Sequence, residues 1–409
     1  MDFNDTPQEA AFRAEARAFL EQHLEPKDPN SSGGMQGENL TAADVAAAQA
    51  WQKTKSEHGW ACLTWPSEYG GRGASPIESL VWRQEEGAFE APHTTVFSIG
   101  IGMCGPTILA HGTPEQKAQW IPDLVSGDKI WCQLFSEPSA GSDLAGLRMS
   151  AVRDGDDWVL NGQKIWTSGA QWCDWGVIVT RSDPNAAKHA GLTYFVVDMK
   201  APGVEIRPIT QINGGQGFNE VFFTDVRIPD AWRLDAVGNG WRVAITTLMN
   251  ERASIGSGGG ENAIDTLIDS ARELRYGAQR AIDDPGVRQQ LADFYVRSKG
   301  VEFTGHRNVT TLSKGGIPGP EASLGKLVGG ALMQDIASYA IDLEGQAGSM
   351  MNDAGFQSVY LGVPGLRIAG GTDEVLRNII AERVLGLPPE TRMDKDVAFK
   401  DIPTGPPSK

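Results

Sequence analysis

WCQLFSEPSAGSDLAGLRMSAVRDGDDWVLNGQKIWTS, residues 131–168, alternates short apolar runs with turns of small residues. Ile130 to Phe135 is a mostly apolar run of the length of a buried strand. It stops at Ser136-Glu137-Pro138, because Pro138 supplies no N–H and pushes the residue before it toward extended geometry. In Ser139-Ala140-Gly141-Ser142-Asp143 the small residues leave backbone N–H groups and hydroxyls open, which is how chains commonly hold an anionic ligand. The chain is predicted to return through Asp157-Trp158-Val159-Leu160, to make a hairpin turn at Asn161-Gly162, and to run out as Gln163 to Ser168. Trp166, beside two hydroxyl residues, suits a flat ring system needing one apolar face and a few polar edge contacts.

Outward from this stretch the periodicity changes on both sides. Trp175 to Thr180, Thr193 to Val197 and Phe218 to Val226 continue the strand pattern, so residues 128–235 are expected to form a small β domain, sandwich- or barrel-like. Residues 1–127 read as helical, with helices at 7–24, 42–58, 76–89, 96–111 and 114–126. Between them, 25–40 reads as a loop or disordered excursion, and 60–73 as an aromatic-rich loop. Helices resume near Asn239 and fill 236–409. Helix, sheet, then helix in sequence means segregated layers of α+β type: an N-terminal helical domain, a middle β domain and a C-terminal helical bundle. It is not the alternating βαβ pattern of a dinucleotide-binding fold.

Composition narrows the function. A net charge of −16 offers no basic stretch to neutralise nucleic-acid phosphates. The four cysteines, Cys62, Cys104, Cys132 and Cys173, have no metal-ligand spacing and read as free buried thiols in a reducing compartment, with no metal expected. The charged N-terminal stretch is neither a signal peptide nor a membrane span, so a soluble cytoplasmic protein is expected, with no membrane insertion.

The segment 136–143, SEPSAGSD, with 161–168, NGQKIWTS, resembles the middle domain of the acyl-CoA dehydrogenase family, whose flavin loop runs approximately TEPxAGSD and is followed by NGxKxWIT. Pro66, Gly70, Gly71 and Gly73 resemble a further segment of that family, and the three-part order agrees over nearly the whole chain. The resemblance implies FAD as cofactor, met by Gln133, Phe135, Ser136, Gly141, Ser142, Trp166, Thr167, Ser168, Thr372 and Glu374. It implies an acyl-CoA substrate met by Ser142, Arg252, Gly370 and Gly371, an electron-transferring flavoprotein as acceptor, and a homodimer or homotetramer.

A dehydrogenase of this kind needs a carboxylate to remove the proton next to the thioester carbonyl, in a dry pocket that raises its pKa. Many family members carry that Glu before a Gly-Thr near the C-terminus, whereas here Gly370 occupies the position in Ala369-Gly370-Gly371-Thr372 and cannot act as a base. The isovaleryl-CoA dehydrogenase branch carries it on an earlier helix, before an Arg, which here is Glu251-Arg252. On a helical wheel Trp241, Ala244, Ile245, Leu248 and Ile255 form the apolar stripe, with Arg252 near its centre and Glu251 on its flank. A structural salt bridge or a subunit contact is the competing reading of this pair. Asp373 and Glu374 are explained by the helix dipole, with Thr372 as N-cap. The family's RxxFG segment has only loose echoes, at Arg275-Tyr276-Gly277 and Arg280, and Gly345 to Gly348 stands where flavin-binding glycines are expected. Two alternatives accompany the dehydrogenase reading: a flavin oxidase or monooxygenase of the same fold, and a non-catalytic subunit of a heteromeric dehydrogenase.

Overall fold

The structure, a computed structural model, describes residues 5–27, 40–255, 261–314, 316, 319–351, 355–391, 394 and 396–403, without the side chains of 252–255, 261, 262, 312 and 313. Most of the expected excursion at 25–40 lies outside the described residues. The chain opens with α1 (Pro7–His23), α2 (Ala42–Glu57) and α3 (Pro76–Glu86). Thr6, Thr41 and Ser75 each cap their helix while the acid three residues on reaches back to the cap N–H.

The single helix expected over 96–111 is broken. A 3₁₀ turn at Thr95–Phe97 and a wide π turn at Gly100–Cys104 precede α4 (Gly105–His111), and α5 (Pro114–Ser126) follows. Pro106 has no N–H to continue the ladder. Glycine is also required here for packing: a Cβ on Gly105 would sit 2.1 Å from the Trp65 ring.

The middle of the chain forms β1 (Trp131–Leu134), β2 (Ser150–Asp154), β3 (Asp157–Ser168), β4 (Trp175–Arg181), β5 (Leu192–Asp198), β6 (Val204–Ile209), β7 (Phe218–Pro229) and β8 (Arg233–Leu234). They lie in the order β6-β7-β3-β2-β4-β5-β8, with β1 parallel on β4. The β2–β4 join is one residue pair, Ser150 with Arg181, so the sheet can fold over on itself there. Its two halves share one core, in which Trp158, Leu160 and Val221 of one half meet Leu134, Ile178 and Phe195 of the other. The Trp158 and Phe195 rings lie 5.4 Å apart across that core.

Asn161-Gly162 is not a hairpin turn. β3 runs straight through it with a bulge against β7, and the hairpin turn is Gly155-Asp156, where Gly155 takes φ 64°. The Asn161 side chain exchanges hydrogen bonds with Asp225, 3.0 Å from its amide and 2.9 Å to its carbonyl, and Asp225 itself sits at φ 50°. Asn-Gly thus builds paired irregularities in two neighbouring strands instead of reversing the chain. All four cysteines are free and buried, and burial pushes the Cys62 thiol up to about 12.

The C-terminal part comprises α6 (Gly240–Ile255), α7 (Glu261–Glu273), α8 (Pro285–Ser313), α9 (Ser323–Glu344), α10 (Phe356–Leu366) and α11 (Asp373–Arg383). Leu267, Leu291, Phe294, Ile336 and Phe356 centre its core. Gly386, at φ 68°, turns the chain out of α11 so that the Leu387 N–H closes on the Ala381 carbonyl at 2.9 Å. Among the described residues no helix is long and apolar enough to cross a membrane.

Candidate active site

The two halves of residues 131–168 interlock through a buried lysine. Lys164, on β3 and fully buried, donates to the Phe135 carbonyl at 3.0 Å and to Glu137 at 2.9 Å. Burial pushes its ammonium below the ordinary lysine range, and the Glu137 carboxylate pulls it back up. Glu137 also accepts the N–H groups of Arg148 at 2.7 Å and Met149 at 3.0 Å. The Ile165 N–H donates to the Ser136 carbonyl at 2.9 Å, and Glu137 and Ala140 close the intervening turn by mutual backbone bonds of 3.0 Å. Both carboxylate oxygens are therefore used in shaping the turn, which leaves Gly141, Ser142 and Asp143 exposed at its tip.

One register step along β3 the strand is irregular again, between Lys164 and Thr167. Trp166 sits at φ 59°, a conformation that costs an aromatic residue roughly 1–3 kcal/mol, and its side chain is 55% exposed. The indole touches Phe218 edge-on at 6.1 Å and leaves a face open. Beside it Thr167 is buried with a hydroxyl that has no partner among the described residues, although its carbonyl accepts from Asn219 at 3.1 Å. On β1 the side-chain carbonyl of Gln133 is likewise buried and unpartnered. A buried polar atom without a partner costs about 1–3 kcal/mol, so Thr167 and Gln133, together with the exposed Trp166 ring, suit a flat ligand with a polar edge. These residues fit a flavin ring. Phe135 differs from the others: its side chain is buried edge-on against Tyr194 at 5.9 Å, and its carbonyl is taken by Lys164.

α6 carries the candidate carboxylate, Glu251. Its inward face runs through Gly240, Val243, Ala244 and Thr247, all buried, while Ile245 is exposed, contrary to its place in the expected stripe. The wheel went wrong because Thr247, a polar residue, is a core residue here: its hydroxyl meets Tyr194 and Thr107, each at 2.9 Å. With Thr247 as the marker, Glu251 one turn later lies on the inward face and not on its flank. The half-buried Glu251 accepts a hydrogen bond from the Gln133 amide at 3.3 Å. That contact joins the helix to the strand that carries the ligand loop. The side chain of Arg252 lies outside the described residues.

The turn that replaces the usual carboxylate position is braced from its own bundle. Gly370 and Gly371 take φ 64° and 97°, which suits glycine, and Lys326 donates to the Gly371 carbonyl at 2.5 Å. Thr372 caps α11 as expected, through the Val375 N–H at 3.2 Å. Asp373 is buried and pairs with Arg367 at 2.6 Å, so it holds the turn in place and does more than favour the helix dipole, whereas Glu374 is exposed. Arg280 is paired with Asp283 at 2.9 Å on an exposed hairpin, and the described residues give it no contact with the site. The sequence offered no sign that Arg181 and Lys188 brace the ligand loop from the β4–β5 side, since both partners are remote in the chain.

Comparison with known proteins adds three matches along the chain. The profile described as acyl-CoA dehydrogenase, N-terminal domain, matches residues 6–128; the middle domain matches 132–226; and the C-terminal domain matches 238–385. The chain is 40% identical over 351 residues to acyl-CoA dehydrogenase FadE34 of Mycobacterium tuberculosis, covering 85% of this chain but 47% of that relative, so it spans about half its length. It is 36% identical over 395 residues to acyl-CoA dehydrogenase IpdE1 of the same organism, covering 93% and 98% of the two chains. Among solved structures it resembles the Tcur3481-Tcur3483 steroid ACAD at a TM-score of 0.80 and 28% identity, over 95% of this chain and 100% of that one.

Proposed function

The chain belongs to the acyl-CoA dehydrogenase family of FAD-dependent oxidoreductases, and from that premise we propose that it takes hydrogen from the α and β carbons of an acyl-CoA thioester with Glu251 as base. The hydrogen bond from Gln133 to Glu251 carries this reading, since it ties the helix to the strand whose buried side-chain oxygen suits a flavin edge. A carboxylate bonded to a residue that would hold the flavin is what a base opposite a flavin requires. FAD, when bound, supplies the acceptor for the β hydride. Gln133, Trp166, Thr167 and Ser168 would hold its ring, and Ser136, Gly141 and Ser142 its polar portion. The backbone at Gly370 and Gly371 would donate to the thioester carbonyl, which acidifies the α carbon as an oxyanion hole does. Glu251 takes the α proton, and a trans-2-enoyl-CoA remains. Arg252 would hold the thioester or orient Glu251, and an electron-transferring flavoprotein would reoxidise the enzyme.

The test is a panel of straight-chain, branched, aromatic and steroid side-chain CoA thioesters, the last because a structural relative is described as a steroid ACAD. Product lighter by two hydrogens with an artificial electron acceptor present, and no oxygen uptake, is the expected outcome. Rapid oxygen consumption without use of the acceptor would move the assignment to an oxidase of the same fold.

Trp166 gives a separate prediction. Replacing it with Gly relieves the positive-φ strain but removes the edge contact with Phe218, roughly offsetting terms of about 1 kcal/mol each. The flavin-free Trp166→Gly protein is expected to melt near the parent temperature while binding FAD about tenfold more weakly. Calorimetry of the apoprotein and a fluorescence titration with FAD check the two halves separately.

A further inference from the structure

The C-terminal end of the chain returns to the middle domain and lies across the β4–β5 loop. Ala398 bridges Ala187, the Phe399 N–H donates to the Ala186 carbonyl at 2.9 Å, and the Lys400 N–H to the Pro184 carbonyl at 3.0 Å. Phe399 is buried, its ring 3.6 Å from the guanidinium carbon of Arg181 and 5.3 Å from that of Arg148. Arg181 is buried too, and its other contacts are backbone carbonyls: Ala145 at 2.6 Å, Leu147 at 3.3 Å and Lys188 at 2.6 Å. Among the described residues its Nε has no hydrogen-bond partner, and the Phe399 ring lies over the guanidinium. Beside this stack Lys188 spans two carboxylates, Asp143 at 2.8 Å and Asp394 at 2.7 Å.

These contacts converge on one stretch of chain. Asp143 closes the exposed tip Gly141-Ser142-Asp143, and Ala145 and Leu147 follow it within one short turn. The other end of the same loop is fixed by Lys164 and Glu137. At the tip Gly141 and Ser142 are exposed and a Cβ on Gly141 would meet nothing, while the Asp143 carbonyl accepts the Gly146 N–H at 2.8 Å in a short 3₁₀ turn. Beyond its own backbone turn the far end is held by Lys188 and by the Arg181 platform, both of which the C-terminal segment covers.

We propose that the segment carrying Asp394 and Ala398 to Ile402 is an intramolecular strap that preorganises the loop Ser139–Asp143 for its ligand, with Lys188 and Phe399 as positioning residues. This rests on the assignment of that loop to the flavin site. Without the strap the loop samples more conformations, and apparent affinity falls by the fraction of molecules still competent to bind. The strap is expected to act on cofactor binding and not on proton removal.

Flavin-free full-length parent, Lys188→Met, Phe399→Ala and Phe399→Trp are to be titrated with FAD by fluorescence and melted without it. Lys188→Met and Phe399→Ala are expected to bind about five- to tenfold more weakly with melting temperatures near the parent's, and Phe399→Trp, which keeps an aromatic face, to stay within about twofold. Parent-like affinity in both weakened variants, or equal losses in the Ala and Trp variants, would overturn the strap. Should Phe399→Ala fail to fold, Lys188→Met alone decides, since its head group can be lost without opening the core. A parent that takes up no FAD is a different failure: it removes the assignment of the loop and the strap's purpose with it.

Discussion

Changing Glu251 to Gln is expected to slow anaerobic bleaching of the flavin by a good thioester substrate about 10³-fold, the usual contribution of a positioned general base. The substitution keeps the shape of the side chain and leaves an oxygen able to accept from the Gln133 amide, so the helix and the strand stay joined. Flavin content, absorbance spectrum and thioester affinity should all match the parent, because the interaction removed belongs to the transition state. Stopped-flow absorbance separates the cases. A parent-like bleaching rate would mean that another acid removes the proton. An equal loss of thioester binding would mean that Glu251 holds the substrate instead of removing its proton.

The second large effect is on stability. Lys164→Met removes one partner of a fully buried ion pair and is expected to cost about 3–5 kcal/mol, because Glu137 keeps its charge in a dry site. Two backbone N–H groups still reach that carboxylate, which places the loss toward the lower end of the range. Lys164→Met combined with Glu137→Gln should lose less than the sum of the single changes, since the stranded charge is then gone. Urea unfolding followed by near-ultraviolet circular dichroism measures this as a shift in midpoint. A parent-like midpoint for Lys164→Met would show that the loop is held by its backbone bonds and not by the lysine.

These two residues also mark how far the sequence could be read. The run 131–134, the turn at Ser136-Glu137-Pro138 and the strand ending at Ser168 were legible, because each is written in local chemistry: apolar residues, a missing N–H, β-branched partners. Thr372 announced its helix for the same reason. Lys164 was visible as part of a motif, but its work was not, since burial and the Phe135 and Glu137 contacts exist only once β1 and β3 have paired. Asn161-Gly162 misled because the dipeptide prefers a hairpin turn, and nothing in sequence shows Asp225 waiting opposite to accommodate a bulge. Val204–Ile209 was passed over because charges and Pro208 mask its pattern, as befits an edge strand that pairs only with β7. Ile245 was misplaced because a wheel weighs hydrophobicity and cannot see that Thr247 has two buried hydroxyl partners. The strap is the extreme case, joining Phe399 to Arg181 across most of the intervening chain.

The central claim is geometric, and a crystal structure of the holoenzyme with a thioester that cannot be oxidised tests it most directly. The isoalloxazine ring should lie on the open face of Trp166 with the Thr167 hydroxyl and the Gln133 amide at its polar edge, and the Glu251 carboxylate should face the α carbon from the opposite side of the thioester. A flavin bound elsewhere, or a Glu251 side chain directed away from that carbon into solvent, would contradict it.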